Sequence, residues 1–440
     1  MAEGRHSAPR GRSERPSSTT GALANEQRLL ALGEAVDRRA GVAPKAKRPR
    51  GSRRRYLIIS AIVVAGLVAG VIGGGYLYAQ WRFSQITKVN VSGEVPTISN
   101  QPFNILSIGS DSRAGLTGLV ARQSGATTGQ AAGQRSDVVK IMHVDPANDT
   151  ITILSIPRDT MVTLLANQSL FGRFNRINVN YGNGPSLLAQ TITANFGIPI
   201  SHVVQVNFAG LINAADAVGG VYLDFPYPAK DPYSGLKVTH AGCQIVTGFQ
   251  ALAVARSRHY YWYEHGQWNY DVTSDFGRIQ RQNAFLRALL SRVKSIYNPI
   301  TLNSFLSKIP QGITLDSNFS LNELIGLALK FHNLSPNAMK TYTLPTLGGT
   351  SSVGDVQFVA EPAAQQMLTN IFGAELQRPT NPPPNSSLQT PMPPVIPVTT
   401  TTVAAHSSTS GTSGASTHPT TTTTQPPEGL QYFDPVPCTP

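Results

Sequence analysis

In the middle of the chain, hydrophobic positions recur about every 2 residues in some segments and about every 3.6 residues in others. These periods predict strands interleaved with helices. Short runs rich in β-branched residues predict strands at residues 104–109, 138–144, 150–156, 202–207, 221–225 and 340–344. Helical stripes with start and stop signals predict helices at residues 185–196, 208–218, 278–296, 321–332 and 361–372. This order of elements indicates an α/β or α+β sandwich.

A separate apolar segment, residues 56–79, is long enough to cross a membrane. It carries no charged side chain, and as a helix it would extend about 36 Å, more than the roughly 30 Å of a hydrocarbon core. It is too long, and begins too far into the chain, for a typical secretory signal. Because the basic run at residues 45–55 precedes it, the positive-inside rule predicts a cytoplasmic N terminus. We therefore expect a single-pass protein of the cell membrane whose residues after Gln80 are extracytoplasmic.

The net charge of +12 is concentrated at the N terminus. Residues 1–55 hold 14 basic and 5 acidic side chains, whereas residues 80–440 have a net charge of only +3. The basic excess is therefore interpreted as a solvated tail attracted to anionic lipid. No nucleic-acid recognition motif accompanies it, so the sequence argues against a nucleic-acid partner.

Composition divides the chain into six segments. Residues 380–427 lack Asp, Glu, Lys and Arg and are dominated by Pro, Thr and Ser, as in extended linkers. The residues after it are apolar and include a cysteine, and we expect them to dock back onto the globular domain. The predicted segments are a disordered basic cytoplasmic tail (1–55), a transmembrane helix (56–79), a stalk (80–100), a globular domain (101–377), a linker (378–429) and a C-terminal patch (430–440).

The chain has two cysteines, Cys243 and Cys438, and both are predicted to lie outside the cytoplasm. Thiols in that compartment persist as disulfides, and two cysteines in one chain allow a single intramolecular connectivity. We therefore predict a disulfide between Cys243 and Cys438. Two unpaired or intermolecular thiols are the alternative.

Five polar stretches at the ends of predicted elements carry the candidate chemistry. Arginine forks match phosphate oxygens, paired aspartates hold Mg²⁺, and a helix N terminus favours an anion. Each stretch alone is more often structural, but together they predict a diphosphate site with a divalent metal. Their polar residues are Asp111, Arg113, Arg135, Asp137, Arg158, Asp159, Arg256, Arg258, Asp275, Arg278 and Gln282.

The same stretches resemble the motifs of the LytR-CpsA-Psr proteins, in the family's order. The resemblance covers residues 101–377. It implies an α/β/α sandwich with a central mixed sheet that binds a polyprenyl diphosphate, whose lipid tail would lie in an apolar tunnel. It also implies transfer of a phosphoglycan from that carrier to peptidoglycan. The matching text is NILSIGSDSR (104–113), RSD (135–137), LSIPRD (154–159), RINVNYGNGP (176–185), FAGLINAADAVGGV (208–221), RSR (256–258) and DFGRIQRQ (275–282).

The resemblance also implies a role for each matching residue. Asp111 and Asp137 correspond to ligands of Mg²⁺ or Mn²⁺. The catalytic set is Arg158, Asp159 and Asp275, in which either carboxylate acts as a base or orients an arginine. The phosphate contacts correspond to Arg158, Arg256, Arg258, Arg278 and Gln282. Weaker candidates are Arg113, Arg135 and Arg176.

Two other functions and three departures from the family pattern remain. The site would equally suit a pyrophosphatase that uses water as the acceptor, and a non-catalytic envelope regulator or scaffold could bind prenyl phosphate. The loop at residues 114–134 is long, and Lys140 interrupts a predicted strand at what we expect to be an outward-facing position. The aromatic insert at residues 259–268 is either a packed loop or a platform for a saccharide or acceptor.

Overall fold

The computed structural model describes most of the chain between its first helix and its last residues. Several predictions lie outside the described residues, among them Arg113, Arg135, most of the loop at 114–134 and the linker from 385 to 429. The chain forms two compact units, Met1–Gly75 and Tyr76–Pro440. The described residues are 18–39, 51–112, 116, 136–294, 303–304, 307–308, 310–332, 334, 339–384 and 431–439.

The described N-terminal residues form two helices, α1 (Ser18–Arg39) and α2 (Gly51–Phe83). Within the second, Arg54–Phe83 has a mean hydropathy of 2.5 and is not buried inside the protein. By length and composition this helix can cross a membrane, and its Leu, Ile and Val side chains are exposed.

The remaining helices and strands build the larger unit. Its helices are α3 (Gln168–Phe171), α4 (Pro185–Phe196), α5 (Phe208–Ala217), α6 (Gly248–Arg256), α7 (Asp275–Lys294), α8 (Leu321–Lys330) and α9 (Ala363–Phe372). Its strands are β1 (Thr87–Val89), β2 (Phe103–Ser110), β3 (Ser136–Asp145), β4 (Thr150–Ile156), β5 (Met161–Thr163), β6 (Phe174–Arg176), β7 (His202–Val206), β8 (Val221–Phe225), β9 (Ala229–Asp231), β10 (Leu236–Val238), β11 (Gly242–Val246), β12 (Tyr261–Glu264), β13 (Gln267–Tyr270), β14 (Ile313–Asp316), β15 (Lys340–Thr343), β16 (Thr346–Ser351), β17 (Gly354–Val359) and β18 (Val436–Pro437).

A mixed sheet forms the centre of this unit. In the described residues it has seven strands in the order β1-β14-β7-β2-β3-β4-β15. The β2–β3 and β3–β4 pairs are antiparallel, whereas β7 and β15 lie parallel to β2 and β4. Successive apolar side chains of β2 point to opposite faces of the sheet, so both faces of the sheet are covered. Leu106 and Ile108 pack in the core on one face, which includes α4 and α9, and Ile105 packs with α8 on the other. The fold is therefore the α/β/α sandwich that the resemblance implied.

A second core lies beside the central sheet. Strands β8 to β10, helices α6 and α7, and the aromatic insert contribute side chains to it, and so does Phe433 from the C-terminal residues. The insert is a hairpin of β12 and β13 within the four-stranded sheet β10-β9-β12-β13. The second core thus fixes α7, whose N-terminal turn carries several candidate site residues.

The structure corrects two predicted segment boundaries. Residues 80–100 are not a free stalk, because β1 pairs with β14 at the edge of the central sheet. The first residues of the predicted linker also pack on the domain, where Asn381 N donates to Ala194 O at 2.9 Å. Helix α7 begins at Asp275 rather than at residue 278. Short edge strands and hairpins lack a strong period-2 pattern, and the predictions missed them for that reason.

Candidate functional site

Asp137 occupies an irregular step between β2 and β3. Gly109 pairs with Val138, but the next residue, Ser110, pairs with Ser136, so Asp137 is an extra residue in the ladder. An extra residue of this kind bends the strand locally and re-aims a side chain. The sequence of β3 thereby places a carboxylate where β3 begins beside the end of β2, outside the regular alternation of the strand.

Three arginines surround this carboxylate. Arg158 Nη1 donates to Asp137 Oδ1 at 2.7 Å, and Arg258 Nη2 lies 3.8 Å from the same oxygen. Arg278 Nη2 donates to the main-chain oxygen of Asp137 at 2.6 Å. Asp275 holds two of the guanidinium groups, with Oδ1 3.1 Å from Arg258 Nε and 2.8 Å from Arg278 Nη2. The stretches that contain Asp137, Arg158 and Arg258 and the start of α7 therefore meet in one group of residues, the arginine cluster.

Burial and the neighbouring charges shift the pKa values of residues in the cluster. Burial alone would raise the pKa of Asp137, but Arg278, Arg258 and Arg158 outweigh that effect and hold it below its ordinary value. Burial lowers the pKa of Arg278 to about 10, and the neighbouring Arg258 and Arg158 act in the same direction, while Asp275 opposes them. Three close guanidinium groups are thus stabilised by any additional anion.

Buried polar atoms in the cluster also point to an anionic ligand. Among the described residues, the donor Arg278 Nε is buried without a hydrogen-bond partner, and so is the acceptor Gln282 Oε1, which a hydroxyl or a water rather than an anion would satisfy. Gln282 Nε2 donates to Ala255 O at 2.9 Å, which fixes the amide in place. Unsatisfied buried polar groups are rare because each one costs free energy. A phosphate oxygen would accept from Arg278 Nε.

An apolar cavity of about 480 Å³ begins at the arginine cluster. Asp137, Arg256, Arg258, Arg278 and Gln282 line its polar part. The Arg256 guanidinium lies 4.7 Å from the centroid of the Phe208 ring, so this arginine bridges the polar and apolar parts. The apolar lining comes from the helices α5, α6 and α7 and includes Phe208, Leu211, Leu252, Phe285, Leu286 and Leu289. The arrangement suits a ligand with an anionic head and a hydrocarbon tail.

Lys140 is buried beneath the cluster, so the expected outward-facing position is wrong. Its Nζ donates to Ser155 Oγ at 2.7 Å and to Asn283 Oδ1 at 2.8 Å, and the residue is 3% exposed. Burial, reinforced by the nearby Arg278 and opposed by Asp275, lowers the pKa of Lys140 to about 7. The sequence signal was the lone lysine in an apolar strand.

Replacing Lys140 with methionine should change how stability depends on pH. Between pH 7 and 10.5 the unfolded chain binds a proton on Lys140 that the folded chain does not, so native stability rises with pH in this window. The Lys140→Met variant lacks this dependence. Its advantage over the parent, on the order of a few kcal/mol at pH 7, should shrink as the pH approaches 10.5. Denaturant unfolding of both proteins across this range measures the effect, and parallel pH profiles would contradict it.

Asp159 and Arg176 lie on the other side of Arg158. Asp159 Oδ2 accepts from Arg158 Nε at 3.3 Å, and Asp159 Oδ1 lies 3.4 Å from Arg176 Nε. Arg176 also donates to the main-chain oxygens of Val353 and Asp355 at the β16–β17 turn. These residues line a polar pocket of about 320 Å³ next to the cluster. Arg176 thus joins the turn to the site.

The C-terminal residues pack against the back of α7. Arg281 Nη1 lies 2.9 Å from Asp271 Oδ2 and 2.6 Å from Asp434 Oδ1, and all three side chains are fully buried. Strand β18 pairs with β8, and the chain contains a disulfide between Cys243 and Cys438. The sequence analysis missed the role of Arg281, which lies within a turn of both Arg278 and Gln282 on the helix. Its partner Asp434 is distant in sequence, so no local pattern links them.

These features define a three-layer α/β/α domain with an arginine-rich anion site at the mouth of an apolar cavity. The LytR_cpsA_psr family model matches residues 79–372 of the chain. The match covers more than half of the sequence, and the chain belongs to this family. The family model begins before the predicted boundary at residue 101, in agreement with the position of β1 in the sheet.

Two curated relatives and one solved structure agree with this assignment. The probable cell wall biosynthesis protein LcpB of Corynebacterium glutamicum is 29% identical over 330 residues, which cover 73% of this chain and 74% of LcpB. The polyisoprenyl-teichoic acid–peptidoglycan teichoic acid transferase TagV of Bacillus subtilis is 29% identical over 314 residues, 68% of this chain and 72% of TagV. The LytR-Csp2A-Psr enzyme from Actinomyces oris shares the fold, with a TM-score of 0.52, 23% identity, and coverage of 67% and 97% of the two chains.

Proposed function

We propose that this chain transfers a phosphoglycan from a polyprenyl-diphosphate carrier to peptidoglycan. The observation that carries the proposal is the continuity of the arginine cluster with the apolar cavity of about 480 Å³. The two parts match a diphosphate and the start of a polyprenyl chain. The relative TagV, named as a polyisoprenyl-teichoic acid–peptidoglycan teichoic acid transferase, supports the same chemistry.

The proposal places the reaction outside the cytoplasm. Helix α2 would anchor the chain in the cell membrane, with the basic tail in the cytoplasm by the positive-inside rule. A lipid-linked donor resides in the same membrane, so the anchor would keep the site within reach of the donor. Residues of the larger unit would then meet peptidoglycan on the outer side.

The residues of the cluster divide the work of phosphoryl transfer. A hydroxyl of peptidoglycan attacks the sugar-linked phosphorus, the bond from this phosphorus to the bridging oxygen breaks, and polyprenyl phosphate leaves with the electron pair. Arg158, Arg258 and Arg278 stabilise the charge on the phosphate oxygens, which is the main contribution a protein makes in such reactions. Asp275 fixes the orientation of two of these arginines. Asp159, in the neighbouring polar pocket, orients the acceptor hydroxyl and takes its proton.

The donor groups near the cluster fit a divalent metal. Asp111 directly follows β2, and Asp137 lies in the adjacent strand next to the Ser110–Ser136 pair. The lowered pKa of Asp137 keeps this carboxylate ionised, as a ligand must be. Two carboxylates leave further positions for phosphate oxygens and water, which is the coordination Mg²⁺ prefers. When bound there, Mg²⁺ or Mn²⁺ would neutralise charge on the diphosphate.

We expect transfer to depend on this metal. Exhaustive chelation should reduce the rate by at least about 100-fold, and Mg²⁺ or Mn²⁺ should restore it, because oxygen ligands select hard cations. Asp111→Asn should raise the metal concentration needed for half-maximal rate. Manganese binding followed by paramagnetic resonance gives a readout independent of activity. Full activity after chelation, or identical manganese binding in the parent and Asp111→Asn, would argue against the metal site.

The release of polyprenyl phosphate tests the function itself. Full-length protein in detergent should release it from a lipid-linked oligosaccharide much faster when a soluble peptidoglycan glycan is added, since that glycan supplies the attacking hydroxyl. A release rate that is independent of the glycan would favour hydrolysis. No release with any acceptor, despite donor binding, would favour a regulator or scaffold.

A further inference from the structure

The aromatic insert forms an open face on the small sheet β10-β9-β12-β13. Cross-strand pairs place Tyr261 opposite Tyr270 and Tyr263 opposite Trp268, so these four rings share one face. Lys230 pairs with Tyr261, and its Nζ lies 3.8 Å from the centroid of the Trp268 ring. Lys237 pairs with Lys230 and extends the row. We call these six residues the aromatic face.

The other face of the same sheet is covered. Ala229 and Trp262 are buried in the second core, and the Trp262 ring stacks on Phe433 of the C-terminal residues at 3.8 Å. On the aromatic face, by contrast, Tyr263, Trp268 and Tyr270 are each about 40% exposed. The C-terminal residues thus support the sheet from behind and leave the rings accessible.

The aromatic face is continuous with the cavity mouth. His259 directly follows Arg258 in the chain. A hydrogen bond of 3.1 Å joins its Nδ1 to the Tyr270 hydroxyl. The His259 ring also lies 4.5 Å from the ring of Tyr233, which is 77% exposed. Both His259 and Tyr233 line the cavity. A row of rings therefore leads from the phosphate-binding arginines to the outer edge of the sheet.

We propose that the aromatic face binds the saccharide chain of the donor. This inference rests on the proposed function, because the saccharide is bonded to the phosphorus held by the arginines and must leave the site across its rim. Pyranose rings present C–H faces that pack on Tyr and Trp rings, whose hydroxyl and indole groups still reach polar partners. Adjacent strands lie about 4.8 Å apart, so the four strands extend about 14 Å, enough for a short oligosaccharide.

Charge favours the donor over the peptidoglycan strand as the occupant. The charged residues that the described strands β9, β10, β12 and β13 present on this face are Lys230 and Lys237, because Asp231 and Glu264 lie on the opposite one. Two lysines without a carboxylate complement an anionic phosphoglycan. They also distinguish the aromatic face from the polar pocket beside Asp159, which suits the acceptor.

Binding of two donors to full-length protein in detergent tests the inference. One donor is a polyprenyl diphosphate with a single sugar, and the other carries an anionic oligosaccharide. Each ring should contribute about 2- to 10-fold in affinity. Tyr261→Ala/Trp268→Ala should therefore raise the Kd of the oligosaccharide donor about 4- to 100-fold and that of the single-sugar donor by less than about 2-fold. Lys230→Gln should give a smaller change that weakens further as salt is added.

Phe171→Ala is the matched control, since Phe171 on α3 has the same 42% exposure as Trp268. It should leave both dissociation constants unchanged. Equal losses for the two donors, no loss for the oligosaccharide donor, or an equal loss in affinity for a soluble peptidoglycan glycan would each overturn the inference. Binding is measured without turnover, so this result does not depend on the proposed function. If the proposed function failed, the parent protein would catalyse no transfer but would still bind the oligosaccharide donor more tightly than the single-sugar donor.

Discussion

Replacing Arg158 or Arg278 with alanine should reduce transfer by at least about 100-fold. Each side chain would contact the phosphate oxygens as negative charge develops in the transition state, and removal of one such contact costs about 10² to 10⁵ in rate. Arg158 also holds Asp137 at 2.7 Å, and Arg278 holds the main chain at the same residue. Either loss therefore also disturbs the carboxylate proposed to bind the metal.

Single-turnover kinetics with the lipid-linked donor measure these losses. Arg278 is nearly fully buried, so Arg278→Lys accompanies the alanine variant to separate loss of the fork from loss of the charge. The exposed Arg173, on the loop before β6, provides the control, and Arg173→Ala should retain the parent rate. Normal turnover by Arg158→Ala, in a protein with an unchanged melting temperature, would remove the arginine cluster from the mechanism.

Of the substitutions proposed, removal of the disulfide should cause the largest decrease in the free energy of unfolding. Cys243 and Cys438 are separated by 195 residues, and in the chain-entropy model closing a loop of this size stabilises the protein by about 5 kcal/mol, with smaller values common. The C-terminal residues would then lose their covalent tether, and with it the buried contact between Asp434 and Arg281. Since Arg281 lies on α7 beside the site residues, transfer should fall as well.

The measurement compares Cys243→Ser/Cys438→Ser with the parent by denaturant unfolding, alongside non-reducing peptide mapping of the parent. We expect a decrease of about 2–5 kcal/mol in the free energy of unfolding. Asp434→Asn, which keeps the disulfide, separates the contribution of the buried ion pair. Two free thiols in the parent, or a peptide that links Cys438 of two chains, would show that the bond does not form in solution.

The sequence indicated the central part of the fold because its strands and helices carry strong local patterns. The alternation at Leu106 and Ile108 and the glycine after Phe196 are signals within a few residues, and β2 and α4 follow them. Strands β12 and β13 were not predicted, because they form by pairing of aromatic residues with each other and with Lys230. Strand β1 depends on a partner more than 200 residues away.

The residues of the site could be predicted from the sequence, but the contacts between them could not. Asp137, Arg258, Arg278 and Asp275 lie at element ends that a sequence reader can recognise, and the structure brings them together. The bulge at Asp137 and the burial of Lys140 depend on register and packing, which no local pattern encodes.

The most direct test of the central claim is the fate of solvent oxygen during the reaction. Full-length protein, a lipid-linked oligosaccharide and a peptidoglycan glycan would be incubated in water enriched in ¹⁸O, and the products analysed by mass spectrometry. Transfer predicts a phosphodiester between oligosaccharide and glycan, with polyprenyl phosphate released and no ¹⁸O in either product. Oligosaccharide phosphate or polyprenyl phosphate that carries ¹⁸O, with no phosphodiester formed, would contradict the account.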